Sequence, residues 1–194
     1  MSEKGPVLAN PAPLGLMGFG MTTILLNLVN MGLFGISSII VAMGIFYGGI
    51  AQIIAGVMEF RKGNTFGTLA FTSYGLFWLT LVFIIISAVE RPAVSPDNSA
   101  WAAYLFIWGL FTLMMFFGTL RTNRALQTVF LSLAILFFLL TASHFIPQLQ
   151  LIAGIEGVFC GFSAFYLSLA EVINEANNRP ILPIGPIKTD RPAR

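Results

Sequence analysis

The sequence predicts an all-α polytopic membrane protein with six transmembrane helices and both termini cytoplasmic. Three observations carry the fold. Of 194 residues, 57% are hydrophobic and 9% charged, where a soluble domain carries roughly 25% charged residues. The charges fall in short intervals between long uncharged runs. Those runs are apolar on every side, not alternating over ~10-residue segments, which excludes a β-barrel. So few charges cannot cover the surface of a soluble globule of this size, so an ordinary soluble enzyme and a disordered chain are excluded. A formal charge of +2 without a basic tract argues against a nucleic-acid partner.

Gly5 to Met58 contains no charged residue. One span needs ~20 residues at 1.5 Å each, so this run holds two helices, with a break at Met31–Ser38 marked by Gly32, Gly35, Ser37 and Ser38. Gly63–Val89 and Asn98–Leu120 are one helix each. Ala125–Ala170, interrupted only by His144 and Glu156, is two, turning at His144, Pro147 and Gln148. The expected spans are about 13–34, 38–60, 66–89, 99–120, 125–143 and 148–172. Together they are expected to form one six-helix transmembrane domain over 1–175, and the proline-rich segment 176–194 is expected to be a flexible cytoplasmic tail.

With six spans, Lys4, Arg61, Lys62, Arg121, Arg124, Arg179, Lys188, Arg191 and Arg194 fall on one side and only Arg91 on the other. That bias assigns both termini to the cytoplasm. Trp101 and Tyr104 then fall near the outer interface, where amphipathic rings are favoured.

Polar residues inside spans need partners in hydrocarbon. Thr22, Thr23, Asn27, Gln52 and Ser73 are the candidates for contacting a substrate, because no Lys or Arg lies deep in a span to trap an anion. Depth arithmetic groups four positions. Phe19 lies ~9 Å into its helix, and Gln52, Tyr74 and Leu133 lie ~12 Å from the same side. Two rings and a leucine would form a narrow apolar gate, with Gln52 and the Tyr74 hydroxyl as donors beside it. The plain alternative is core packing. Glu156 is the only acid deep in a span, about level with Asn27 in the outer half, so the two could meet there. A carboxyl group in hydrocarbon is less costly neutral than charged, which makes Glu156 the proton-linked candidate; a hydrogen-bonded structural acid is the alternative. The single His and single Cys offer no metal-ligand spacing, and no catalytic set or nucleotide loop is present. No cofactor and no enzyme activity are expected. The start of the first helix, Asn10-Pro11-Ala12-Pro13-Leu14-Gly15, places Asn10 as N-cap and Pro11 at the first helical position.

That segment, NPAPLGLMGFGMTTILLNL at Asn10–Leu28, resembles the signature of the acetate uptake transporter family. The likeness continues through MGIFYGGIAQIIAG at Met43–Gly56, GNTFGTLAFTSYGLFWLTL at Gly63–Leu81, FFGTL at Phe116–Leu120 and EVINE…LPIG at Glu171–Gly185. The resemblance implies a homo-hexamer in the inner membrane, surrounded by lipid, with a substrate pathway in each protomer. Its substrates would be acetate and related short carboxylates, with succinate reported for bacterial members, moved with protons or by channel-like passage. It implies a constriction of Phe19, Tyr74 and Leu133, a transport role for Asn10 and Pro11, and an influence of Ala164 on substrate size. Glu156 departs from the family pattern, which is apolar there. The alternative reading is an ammonium or small neutral-solute channel, which an apolar gate without deep basic residues would also suit. A membrane sensor working through its tail is a third.

Overall fold

The computed structural model describes residues 8–187. Lys4, Lys188, Arg191 and Arg194, counted above for topology, lie outside the described residues, as does the tail beyond Ile187. The described chain is helical, and six helices are long and apolar enough to cross a membrane. They are α1 (Ala12–Asn30), α2 (Ser38–Arg61), α3 (Thr65–Glu90), α4 (Asn98–Thr119), α5 (Arg124–Ser143) and α6 (Leu149–Ala176). A short 3₁₀ turn, Pro92–Val94, joins α3 to α4.

Local chemistry fixes the ends. Asn64, Asp97 and Asn123 cap α3, α4 and α5, accepting from the backbone N–H groups of Gly67, Ala100 and Leu126 at 3.1, 2.8 and 2.7 Å. Helix α1 stops at Asn30, four residues before the expected end, because Gly32 adopts φ +78° and Leu33 N–H folds back to the Leu28 carbonyl. Helix α6 runs on to Ala176, beyond the expected 172.

Helix α1 packs on α6 and α2, α6 on α5, α5 on α4, and α2 on α3. The ring closes between α3 and α4 mainly through side chains. The Tyr74 hydroxyl donates to Thr112 Oγ1 at 2.9 Å, the Thr80 and Tyr104 hydroxyls share a hydrogen bond of 2.8 Å, and Phe77 stacks on Tyr104. Close approach elsewhere depends on glycine. A Cβ on Gly20 would lie 2.8 Å from the Gly161 carbonyl, and one on Gly161 would lie 2.9 Å from the Gly20 carbonyl, so α1 and α6 touch backbone to backbone. Large apolar side chains such as Phe46, Phe83, Ile107 and Phe159 face outward, as helices apolar all round require.

Helix α2 contains a feature that the apolar pattern did not signal. Met43–Ala51 is a π-helical stretch. The wider turn inserts an extra residue and rotates the remainder of the helix. It ends immediately before Gln52, whose Nε2 donates to the Gly48 carbonyl at 2.7 Å.

The segment after α6 corrects the expectation of a flexible tail, as far as Ile187. Asn174 Oδ1 accepts from the Ile181 and Leu182 N–H groups, and its Nδ2 donates to the Leu182 carbonyl. The Tyr166 hydroxyl donates to the Pro183 carbonyl. The N–H groups of Arg124 and Ala125 donate to Gly185 and Ile184, and Ile187 N–H returns to Thr122. These bonds fasten the segment over the start of α5. Proline here supplies extended carbonyls for docking rather than freedom.

Candidate substrate pathway

A cavity of about 360 Å³ opens inside the single chain. Its lining alternates by element: Asn10, Leu16 and Phe19 on α1 and its approach, Gln52 and Glu59 on α2, Phe71 and Tyr74 on α3, Phe130 and Leu133 on α5, and Glu171 on α6. The α2–α3 loop and the α4–α5 loop add Lys62, Asn64, Thr122 and Asn123. These residues place the α2–α3 loop, the α4–α5 loop, the approach to α1 and the end of α6 on one face. Arg61, Arg121, Arg124 and Arg179 sit at helix ends or loops of that same face, and Arg91 sits at the other end of α3.

The cavity runs from a polar mouth to a mostly apolar floor. Its deepest lining residues are Phe19, Gln52, Tyr74 and Leu133, the last three each ~14 Å along their helices from that face. The Phe19 and Tyr74 ring centroids are 6.2 Å apart, and Tyr74 lies 6.1 Å from Phe130. The Phe19, Tyr74 and Leu133 side chains are nearly inaccessible, Leu133 at 3%. Tyr74 presents its ring to the cavity. Its hydroxyl is committed to Thr112, which does not line the cavity and in turn donates to the Trp108 carbonyl at 2.7 Å. The expectation of a Tyr74 hydroxyl serving as donor beside Gln52 is therefore corrected.

At the mouth, Asn10 Nδ2 donates to Glu171 Oε2 at 2.8 Å, and Lys62 Nζ donates to Asn10 Oδ1 at 2.9 Å. Asn10 Oδ1 also accepts from Ala12 N–H at 3.3 Å. The helix begins at Ala12, so Pro11 takes the cap position expected for Asn10. Asn10 instead ties α1 to α2 and α6. Glu59 is fully buried; its Oε2 accepts from Asn64 Nδ2 at 2.8 Å.

The remaining sequence candidates lie outside the cavity lining. Pro11 is buried beside it. Thr22 donates to the Met43 carbonyl at 3.4 Å, and Thr23 is buried with its hydroxyl oxygen unpartnered among the described residues. Asn27 does not pair with Glu156. Its Nδ2 donates to the Thr23 carbonyl, its Oδ1 accepts from Asn30, and Asn30 accepts from Gln150, a polar chain joining α1 to α6. Asn27 is turned against Gly157, where a Cβ would collide with its amide. Glu156 projects from a different side of α6, half-buried, one turn before Cys160, whose Sγ lies 3.9 Å from the Val129 carbonyl on α5; the Glu156 Oε2 is buried without a partner among the described residues. Ser73 is half-buried and does not line the cavity. Ala164 is fully buried and packs where α1 passes at Gly20.

Sequence reasoning missed Glu59, Lys62, Asn64 and Glu171. Glu59, Lys62 and Glu171 border uncharged runs and Asn64 lies at the start of one, so all read as span ends. The available signal was that Asn10, at the other end of the chain, returns to the same face. Among the described residues no group of His, Cys, Asp or Glu could hold a metal ion.

Six helices long and apolar enough to span a membrane, packed round a cavity inside one chain, define a polytopic membrane protein. The chain belongs to the GPR1/FUN34/yaaH family, whose pattern it matches over residues 3–188. It is 58% identical over 180 residues to the succinate-acetate/proton symporter SatP of Escherichia coli K12, spanning 92% of this chain and 96% of that one. A solved structure described as the bacterial acetate channel SatP superposes with a TM-score of 0.89 at 57% identity, covering 92% of this chain and 100% of that chain. The ammonia transport outward protein 2 of Saccharomyces cerevisiae is 35% identical over 179 residues, spanning 88% of this chain and 64% of that one.

Proposed function

We propose that this protein moves acetate and related short carboxylates, succinate among them, across the inner membrane, together with protons. It would work as a homo-hexamer in which every protomer has its own pathway, with both termini in the cytoplasm. The observation that carries the reading is the cavity inside one chain, with Asn10, Lys62 and Glu171 at its mouth and Phe19, Tyr74 and Leu133 in its lining. The E. coli and solved-structure relatives, named for acetate, support the substrate class. The basic face supports the orientation. Outward apolar faces such as Ile155, Phe159 and Phe162 on α6 suit cover by lipid and by neighbouring protomers.

A carboxylate entering the cavity would meet the Lys62 ammonium and the Asn10 amide, then Gln52 at the apolar floor. Passing the floor strips most of its water. A proton moving with it cancels the charge and avoids a penalty of order 3 kcal/mol or more for a charged group in a helix centre. Pro11, Thr22, Thr23 and Ala164 act by holding α1 in place, since they do not line the cavity. Asn27 and Ser73 are given no contact with substrate. Glu156, expected from the sequence to be the proton-linked residue, is half-buried on α6 outside the cavity lining.

The test is labelled-acetate uptake by the purified protein in vesicles, with protein-free vesicles subtracted. Propionate and formate should compete. The second reading, ammonium or a small neutral solute, is favoured by the yeast relative named for ammonia transport. Ammonium competition without carboxylate competition would establish it in place of the first.

A further inference from the structure

Among the described residues, two carboxylates and one ammonium are the charged groups lining the cavity: Glu59, Glu171 and Lys62. Their positions are unequal. Glu171 is bonded by Asn10, and Lys62 is bonded to Asn10. Glu59 is 0% exposed, and only one of its oxygens is satisfied. Its Oε1 is buried and has no hydrogen-bond partner among the described residues. An ionised carboxylate offers about four acceptor sites, and buried polar atoms in folded proteins are nearly always paired. An orphan carboxyl oxygen in the wall of a chamber is therefore a place to bind a proton or accept from a donor.

We propose that Glu59 is the proton-binding residue of this cavity: a proton carried on Oε1 neutralises the mouth and lets it receive a small carboxylate. The inference rests on the carboxylate-transport reading and assigns the proton a place within it. With Glu59 ionised, the lining carries one net negative charge, which repels an anion. With Glu59 protonated, the lining is neutral and no longer repels an anion, and Lys62, bonded to Asn10 at the mouth, attracts it. The proton comes from water and an O–H bond forms at Glu59 Oε1; on release that bond breaks and the proton leaves with the substrate or to water. Binding of proton and anion then reinforce each other by the same factor, as linkage requires.

The groups facing Glu59 fit this arrangement. From its own helix end comes Lys62, from the start of α3 the Asn64 amide, and from α6 Glu171, with Glu175 a turn further on. The α4–α5 loop contributes the neutral Thr122 and Asn123. Gly67 on α3 leaves room for the carboxyl group, since a Cβ there would lie 3.0 Å from Glu59 Cδ. Glu171 is the lesser candidate because it is only half-buried and leaves no orphaned buried oxygen among the described residues.

The test is the pH dependence of acetate affinity, measured by thermal-shift titration of the full-length purified protein between pH 5 and 8. The wild type should weaken by up to tenfold per unit of rising pH. Glu59→Gln should bind acetate with affinity changing less than twofold across the range, and Glu59→Asp should restore the slope. Glu171→Gln and Glu156→Gln should keep it. A wild-type slope in Glu59→Gln would overturn the proposal, because the proton would then travel on the acid itself. Loss of the slope in Glu171→Gln alone would overturn it in favour of that residue. Absence of acetate binding by the wild type at any pH would instead count against the transport reading.

Discussion

Truncating Leu133 to alanine tests whether the cavity floor is where the structure places it. Leu133 is 3% exposed and forms the floor with Phe19 and Tyr74. The change removes three carbon groups, about 2.4 kcal/mol at ~0.8 kcal/mol each. Core leucine-to-alanine changes cost roughly 2–5 kcal/mol, the excess reflecting the new void. Here the void joins an existing cavity, so the cost should lie near the lower end, about 2 kcal/mol. For a chain of this length that corresponds to an apparent Tm lower by about 4–8 °C. The same space widens the floor, so rates for propionate and butyrate should rise relative to acetate. The assay is a thermal melt of the purified protein together with initial uptake rates for the three acids. An unchanged Tm with unchanged relative rates would refute Leu133 as a floor residue.

Tyr74→Phe should cost about 1 kcal/mol of stability through the lost bond to Thr112 while leaving the size cut-off unchanged; a large change in acid selectivity would show that the hydroxyl, not the ring, matters. Gly157→Ala should destabilise by about 1–3 kcal/mol, because its Cβ strikes the Asn27 amide and that amide is held by the Thr23 carbonyl and Asn30; a melt matching the wild type would contradict the packing. His144 stacks on Trp101, and burial pushes its pKa below the usual histidine value. The unfolded chain then binds the extra proton first, so stability should fall as pH drops below about 6.5, and His144→Phe should remove that component from the pH–melting profile.

The spans were legible because the charge-free runs Gly5–Met58, Gly63–Val89, Asn98–Leu120 and Ala125–Ala170 are long and few charges interrupt them. The grouping of Phe19, Gln52, Tyr74 and Leu133 was legible because rise per residue converts directly to depth. Facing direction was not. Depth alone put Asn27 level with Glu156, yet the two side chains point to different sides of the α1–α6 contact. The π-helical stretch before Gln52 was invisible, since Met43–Ala51 reads as ordinary apolar helix and the wider turn shows only in the folded backbone. Glu59 and Glu171 were hidden by their position: a charge at a span end ordinarily marks the interface, and only the three-dimensional return of α1 and α6 to α2 makes them walls of a chamber. The docked segment 177–187 was misread because proline suppresses regular structure, yet the extended Pro183, Ile184 and Gly185 carbonyls accept from Tyr166, Ala125 and Arg124.

The central claim is carriage of acetate with a proton through the cavity of each chain. Its most direct test is the initial rate of labelled-acetate entry into vesicles holding the purified protein, with and without an inward proton gradient, protein-free vesicles subtracted. The account predicts a protein-dependent rate that rises with external acidity and falls when Phe19, Tyr74 or Leu133 is altered. A protein-dependent rate of zero, or one flat from pH 5 to 8, would contradict it.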